Sequence, residues 1–140
     1  MEYMEQAIIV DVDGTLAHRV DRSPHEYNKV HTDAYDSIIG DIVTSCSDIM
    51  GLNIIIMTGR PESAKADTVR WLYDNGLHFD AIFTRADGDY REDSLVKYDL
   101  YKEHIEPFYE VQFVLDDRNQ VVKMWRDEGL KVLQVAEGDF

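Results

Sequence analysis

Only one cysteine, Cys46, occurs in the 140-residue chain, so no disulfide can form within it and a reducing compartment is expected. Cys46 falls in an apolar helical pattern, where a buried thiol is the expected state. No apolar run is long enough to cross a bilayer, and the start of the chain, with Glu2 and Glu5, lacks the basic region of a signal peptide. A cytoplasmic protein is expected. Basic residues are scarce as well: 14 lysines and arginines against 28 acidic residues give a formal net charge of −14. That argues against broad binding along nucleic acid, whose affinity comes from many cations displacing counterions, but leaves a local basic site open. Linkers, repeats and low-complexity stretches are absent, so residues 1–140 read as one domain around a single sheet-centred core.

What is present begins with Asp11-Val12-Asp13-Gly14-Thr15, preceded by Ala7-Ile8-Ile9-Val10. The short β-branched run reads as a buried strand. Alternation along it puts Asp11 and Asp13 on one face, with Val12 on the other. Gly14 supplies a tight turn, and ligands of open α/β sheets bind beyond the carboxyl ends of the strands. Two carboxylates brought together need a cation between them, and Mg²⁺, which takes oxygen ligands and is commonly shared with substrate phosphate, is the natural one. An aspartate can also attack phosphorus, with a second serving as acid and base. Asp11 and Asp13 suit those roles; two solvated acids before a turn are the other reading.

Strand and helix alternate through the rest of the chain. Thr15 to Thr32, polar and containing Pro24, His18, His25 and His31, reads as a loop or flap over the crevice. Those histidines match no metal-ligand spacing and are expected in solvent. From Asp33, the residues Ala34, Ile38, Ile39, Ile42, Val43, Cys46 and Ile49 recur at helical spacing up to Gly51. Asn53 to Met57 reads as a second strand, followed by a turn Thr58-Gly59-Arg60-Pro61 and a helix to about Asn75. A third strand, Phe79 to Phe83, leads to a charged turn from Thr84 to Glu92 and a helix from Asp93 to Ile105. Val111 to Leu115, Asn119 to Glu128 and Lys131 to Val135 complete the alternation as strand, helix and strand. The pattern predicts an α/β fold: a parallel, Rossmann-like sheet with helices on both faces, a three-layer sandwich. Trp71, Trp125 and the tyrosines are read as packing residues rather than as platforms for bases.

Every strand-to-helix turn of such a sheet opens at one edge. Six of the eight arginines (Arg19, Arg22, Arg60, Arg85, Arg91 and Arg118) fall in these post-strand segments, which favours a phosphorylated ligand. Arginines also favour surface loops in general. Asp93 and Lys97 are four apart and share a helix face, so Lys97 can offset phosphate charge while Asp93 holds its ammonium, unless the two form an ordinary surface pair. Asp116 and Asp117 make a second acidic strand end that can serve a metal, or simply a solvated turn.

In order and context, the Asp-x-Asp-Gly-Thr strand end, Thr58, Lys97 and Asp116-Asp117 resemble the motifs of the haloacid dehalogenase-like phosphohydrolases. The closer resemblance is to the 3′-phosphatase domains of phage polynucleotide kinase/phosphatases. It covers nearly the whole chain and is densest in Ile9 to Ala17, Met57 to Glu62, Gly88 to Lys97, His104 to Pro107 and Asp116 to Phe140. The resemblance implies that Asp11 is the nucleophile, Asp13 the acid and base, and that Asp11, Asp13, Asp116 and Asp117 serve Mg²⁺. It further implies that Thr58 and Lys97 contact the phosphoryl group, and that Arg22, Arg60 and Asp93 contribute to substrate binding. The implied substrates are 3′-phosphorylated DNA or RNA ends, and 2′,3′-cyclic phosphates come into view as well. No Gly-x-x-x-x-Gly-Lys-Ser/Thr loop occurs, so no kinase activity is expected, and for work in end repair separate kinase and ligase activities would come from elsewhere in the same pathway. Too little chain lies between Thr15 and the second strand for a cap domain, so an open crevice is expected. A nucleotidase or small-metabolite phosphatase on the same scaffold, or a silent protein that binds phosphorylated ends, are the alternatives.

Overall fold

The computed structural model describes residues 3–140; Glu2 lies outside them. Its organising element is strand β1 (Glu5–Val10), from which side chains point alternately to two separate cores. Ile8 and Val10, with Val12 just beyond, enter one core, and Ala7 and Ile9 enter the other. Being covered on both faces, the strand has to be apolar at nearly every position. It pairs in parallel with β4 (Asn53–Pro61) on one side and β6 (Tyr109–Asp116) on the other. With β5 (Ala81–Arg85) and β7 (Val132–Gln134) at the edges, the sheet order is β5-β4-β1-β6-β7, parallel throughout.

Helices α1 (Ser37–Asp48) and α2 (Lys65–Asp74) cover one face, burying Val43, Cys46, Trp71 and Leu72 against it. Helices α3 (Asp93–His104) and α4 (Asn119–Asp127) cover the other with Tyr101, Val121, Val122 and Trp125. This is the three-layer α/β arrangement that the strand-helix alternation predicts. The direction of sheet growth reverses at β1, whose neighbour β4 follows it in the chain while β6 is added later. The crevice beyond the carboxyl ends of β1 and β6 is therefore the place for a ligand. The expected flap carries a small hairpin of its own, β2 (Ala17–His18) against β3 (Ala34–Tyr35), enclosing a 3₁₀ segment at Tyr27–Thr32. Among the described residues there is no cap domain, and no helix is long and apolar enough to cross a membrane.

Several boundaries differ from expectation for identifiable reasons. Helix α1 begins at Ser37, not Asp33, because Asp36 caps it by accepting from the Ile39 N–H at 3.1 Å while residues 34 and 35 are drawn into the hairpin. Its inward face is Ile39, Val43 and Cys46; Ile38 and Ile49 stand 73% and 82% exposed, so the apolar pattern is wider than the buried stripe. Strand β4 runs past Thr58 to Pro61, where the backbone pairs again with Arg85 after an irregularity. Strand β5 begins at Ala81 because Asp80 ties the chain to β4 first, accepting from the Ile54 N–H at 2.7 Å and donating its own N–H to the Ile54 carbonyl at 2.8 Å.

Candidate active site

Asp11 leaves β1 with the same facing as Ala7 and Ile9, toward α3. There the Lys97 ammonium, 1% exposed, donates to Asp11 Oδ1 at 2.8 Å and to Asp116 Oδ2 at 3.1 Å. Asp93, one turn earlier on α3, lies 3.7 Å from the same ammonium. The helix pair expected from the four-residue spacing thus meets the acidic strand ends, with Asp93 bordering the crevice and Lys97 buried behind it. Burial works against the Lys97 charge, but Asp11, Asp116 and Asp93 outweigh it and hold the ammonium well above the ordinary lysine range. Asp11 is pushed the other way: burial, then repulsion from Asp116, raises its carboxyl well above the usual value, with Lys97 opposing. Thr15 completes its surroundings by donating to Asp11 Oδ2 at 3.1 Å.

Asp116 ends β6, with its Oδ1 accepting from the Asp117 N–H at 2.8 Å. The indole N–H of Trp125 points at its Oδ2 from 3.4 Å, so this tryptophan touches the site as well as packing edge-on against Tyr101. One oxygen each from Asp11, Asp116 and Asp117 lies within 4.8 Å of the others, and all three residues are buried. Asp117 is raised by burial. Gly14 lets the turn after β1 pass close by: its φ is +85°, and a Cβ there would run into the Asp117 carboxylate. Three buried carboxylates against a single ammonium leave the cluster short of positive charge. An oxygen-only donor set of this kind fits Mg²⁺.

Asp13 faces a different partner. Arg60, on the extended end of β4, donates to its Oδ2 from Nε at 3.0 Å and to its Oδ1 from Nη2 at 2.8 Å. Arg22 of the flap adds a bond to Oδ1 at 3.1 Å. Burial alone would raise the Asp13 carboxyl, but the Arg60 hydrogen bonds and charge, helped by Arg22, hold it below its usual value. Its carboxylate is thereby turned to guanidinium groups and stands outside the three-acid cluster. Arg22 and Arg60, expected at the substrate, have partners within the protein as well. All five N–H donors of Arg22 are spent, on Asp33, Asp13 and the carbonyls of Ser23 and Pro24. Arg60, 1% exposed, spends its donors on Asp13, Asp33 and Thr68. Both arginines clamp Asp13.

Asp33 is the residue that sequence reasoning missed. It is 7% exposed and receives Arg22 at 2.8 and 2.9 Å and Arg60 at 2.9 Å, while its carbonyl accepts from the Trp71 indole at 3.1 Å. Thr58 is fully buried in β4, and its hydroxyl oxygen accepts from the Arg60 N–H at 3.1 Å, leaving the hydroxyl hydrogen to donate. Asp93 also receives Arg85 at 3.2 Å and lies 3.9 Å from Arg118. Asp11, Asp13, Arg60, Asp93, Asp116 and Asp117 line a cleft of ≈ 510 Å³, which Arg19, Tyr27, Tyr90, Arg91 and Phe140 also border. His25 borders the cleft, His18 pairs with Asp36 at 2.9 Å, and His31 is exposed.

A parallel sheet in this order, with an Asp-x-Asp strand end, a β4 threonine, an α3 lysine and an Asp-Asp strand end converging at one edge, defines a haloacid dehalogenase-like phosphatase domain. Comparison with known proteins makes the assignment particular. Residues 5–140 match the model of the polynucleotide kinase PNKP phosphatase domain, and the chain belongs to that family. It is 32% identical over 133 residues to a protein of Autographa californica nuclear polyhedrosis virus assigned as a bifunctional polynucleotide kinase/RNA ligase, covering 87% of this chain and 18% of the viral one. Among solved structures, a chain of the Pnkp1/Rnl/Hen1 complex superposes with a TM-score of 0.94 at 35% identity, covering 98% of this chain and 48% of that one. A chain of the Pnkp1/Rnl/Hen1 RNA repair complex gives the same score and identity over 44% of its length. The present chain thus spans about half of those solved chains or less, and under a fifth of the viral protein.

Proposed function

We propose that the domain is a Mg²⁺-dependent polynucleotide 3′-phosphatase that removes the terminal phosphate of DNA or RNA ends through an aspartyl-phosphate intermediate. The observation that carries this reading is the joining of Asp11 and Asp116 by the buried Lys97 ammonium, with Asp117 beside them, at the floor of an open cleft. A nucleophilic carboxylate is there oriented from two sides, by Lys97 and by Thr15.

Asp11, Asp116 and Asp117 would hold the metal, which when bound would neutralise charge on the phosphoryl oxygens. Lys97 and the Thr58 hydroxyl receive those oxygens from the protein side. An Asp11 oxygen forms a bond to phosphorus as the bond to the 3′-oxygen breaks, and Asp13 gives the departing oxygen its proton. Without substrate, two guanidinium groups keep Asp13 ionised; the arriving phosphate, a nearby negative charge, raises its proton affinity. In the second half, Asp13 takes a proton from water, whose oxygen displaces Asp11 from phosphorus and releases inorganic phosphate. Arg22, Arg60 and Asp33 are positioning residues for Asp13, and Asp93 is one for Lys97. Asp13, whose two carboxylate oxygens accept from Arg60 and which stands outside the three-acid cluster, is assigned the acid-base role.

The product is a 3′-hydroxyl end. A place in end repair beside kinase and ligase activities is supported by the names of the viral relative and of the RNA repair complex. A cytoplasmic setting agrees with the lone buried thiol of Cys46. The test is phosphate release from a 3′-phosphorylated oligonucleotide, a 5′-phosphorylated one and a 3′-mononucleotide, with Mg²⁺ and with chelator, using Asp11→Asn as control. Mg²⁺-dependent release mainly from the 3′-end is expected. Release only from the mononucleotide moves the protein to the nucleotidases, and full activity in a folded Asp11→Asn protein removes the nucleophile assignment.

A further inference from the structure

Two aromatic rings border the cleft and take no part in the chemistry above: Tyr90, 93% exposed, and Phe140, 65% exposed. Lone exposed aromatics are common on surfaces; what distinguishes these two is how each is held. Arg85 reaches the carbonyls of Asp89, at 3.1 Å, and of Arg91, the residues on either side of Tyr90, while its Nε is anchored on the Gly59 carbonyl at 2.9 Å. Arg91 braces the same turn by donating to Asp89 at 3.0 and 2.9 Å and to Asp99 at 2.7 Å. The turn is therefore fixed from both flanks while the ring between them projects into solvent at the rim. At the other aromatic, the Arg118 guanidinium lies over the Phe140 ring, 5.2 Å from its centroid, and donates to the Phe140 carbonyl at 2.8 Å. The segment is tied to the start of α4 by the Asn119 N–H on the Gly138 carbonyl at 2.8 Å.

Net charge sharpens the meaning of these rings. A chain carrying −14 gains little from the phosphodiester backbone away from its local basic edge, so uncharged contacts close to the terminus gain weight in holding a polymer end. Rigid aromatic faces supply such contacts at low entropic cost, and an overlying guanidinium adds to the stack. We propose that Tyr90 and Phe140, the latter with Arg118, form a nucleobase-stacking subsite for the terminal nucleotides of the substrate. The proposal rests on the polynucleotide reading of the site. Every base has a π-face, so the subsite selects for the presence of a base and is tolerant of its identity.

Its test compares two 3′-phosphorylated oligonucleotides, one with ordinary terminal nucleosides and one whose last two sugars are abasic. The wild-type protein is expected to favour the base-bearing substrate by about 5-fold or more in kcat/KM. In Tyr90→Ala/Phe140→Ala that preference falls to near unity through KM, and Tyr90→Trp restores part of it. A ratio near one in the wild type, or an unchanged ratio in the double variant, overturns the subsite. Hydrolysis of the abasic oligonucleotide by the wild type upholds the phosphatase reading whatever the ratio. If neither substrate is hydrolysed, that reading falls, and quenching of a terminal 2-aminopurine on binding to wild type and double variant decides the stacking by itself: quenching lost in the variant supports it, and equal or absent quenching overturns it.

Discussion

Replacing Lys97 with methionine keeps the bulk of the side chain and removes its charge from among three aspartates. The ammonium sits 2.8 Å from Asp11, 3.1 Å from Asp116 and 3.7 Å from Asp93. At an effective dielectric of about 20, pairs at these separations attract by about 4–6 kcal/mol each before desolvation is counted. Desolvation cancels much of this, and removing one partner of a buried pair costs about 3–5 kcal/mol net; with three partners orphaned, the upper part of that range is expected. A loss of that size removes much of the stability of an ordinary domain. The effect carries a pH signature. Without Lys97 the crowded carboxyls rise further, so the folded chain binds more protons than the unfolded one and the variant gains stability as pH falls. Urea unfolding in chelator, followed by circular dichroism, should therefore show a deficit near neutral pH that shrinks toward about pH 5. A neutral-pH deficit below about 1 kcal/mol, or one independent of pH, would refute this account of the cluster.

Arg60→Gln releases Asp13 and is expected to lower kcat by about 100-fold; because Asp13 then rises toward its ordinary value, the limb of the pH–rate profile that it governs moves to higher pH, and a profile with both limbs unmoved would deny the clamp. In the wild-type protein the depressed Asp13 stabilises the fold above about pH 4 and ceases to do so as pH falls through its folded value, so acid unfolding of Arg60→Gln should lack this component. Gly14→Ala places a side chain at φ +85° against the Asp117 carboxylate and should cost about 1–3 kcal/mol in thermal unfolding, with weakened Mg²⁺ binding by calorimetry. Chelation should abolish phosphate release while leaving the circular dichroism spectrum intact, since Lys97 already bridges Asp11 and Asp116; unfolding on chelation would contradict this.

The parts of the site legible in the sequence are those fixed by local periodicity. Asp11 and Asp13 follow an apolar strand, Asp93 and Lys97 share a helix face, and Asp116-Asp117 closes another strand, so each can be placed without knowing the rest of the fold. Asp33 could not be read in this way. Its role depends on a hairpin between residues 17–18 and 34–35 that returns the flap to Arg22 and Arg60, and Ala34 beside it fits the helical spacing that follows. The wide apolar stripe of α1 concealed which side is buried, because Ile38, Ile42 and Ile49 are as hydrophobic as Ile39 and Val43. The clustering of arginines at one edge was visible, but their use was not: ion pairs with aspartates brought in from distant segments consume the donors that a count of arginines leaves free.

The position of β1 also governs when the domain becomes competent. The bond between Lys97 and Asp11 joins residues 86 positions apart, and the strand made first acquires its second neighbour only when β6 is in place. On the ribosome, at about 5–20 residues per second, the emerging β1 waits several seconds with one edge open and its aspartate without a counterion. Contacts of such long sequence separation also fold slowly. A chain released before residue 116 would carry the nucleophile without the rest of its site, and would expose an apolar strand edge ready to pair with another chain.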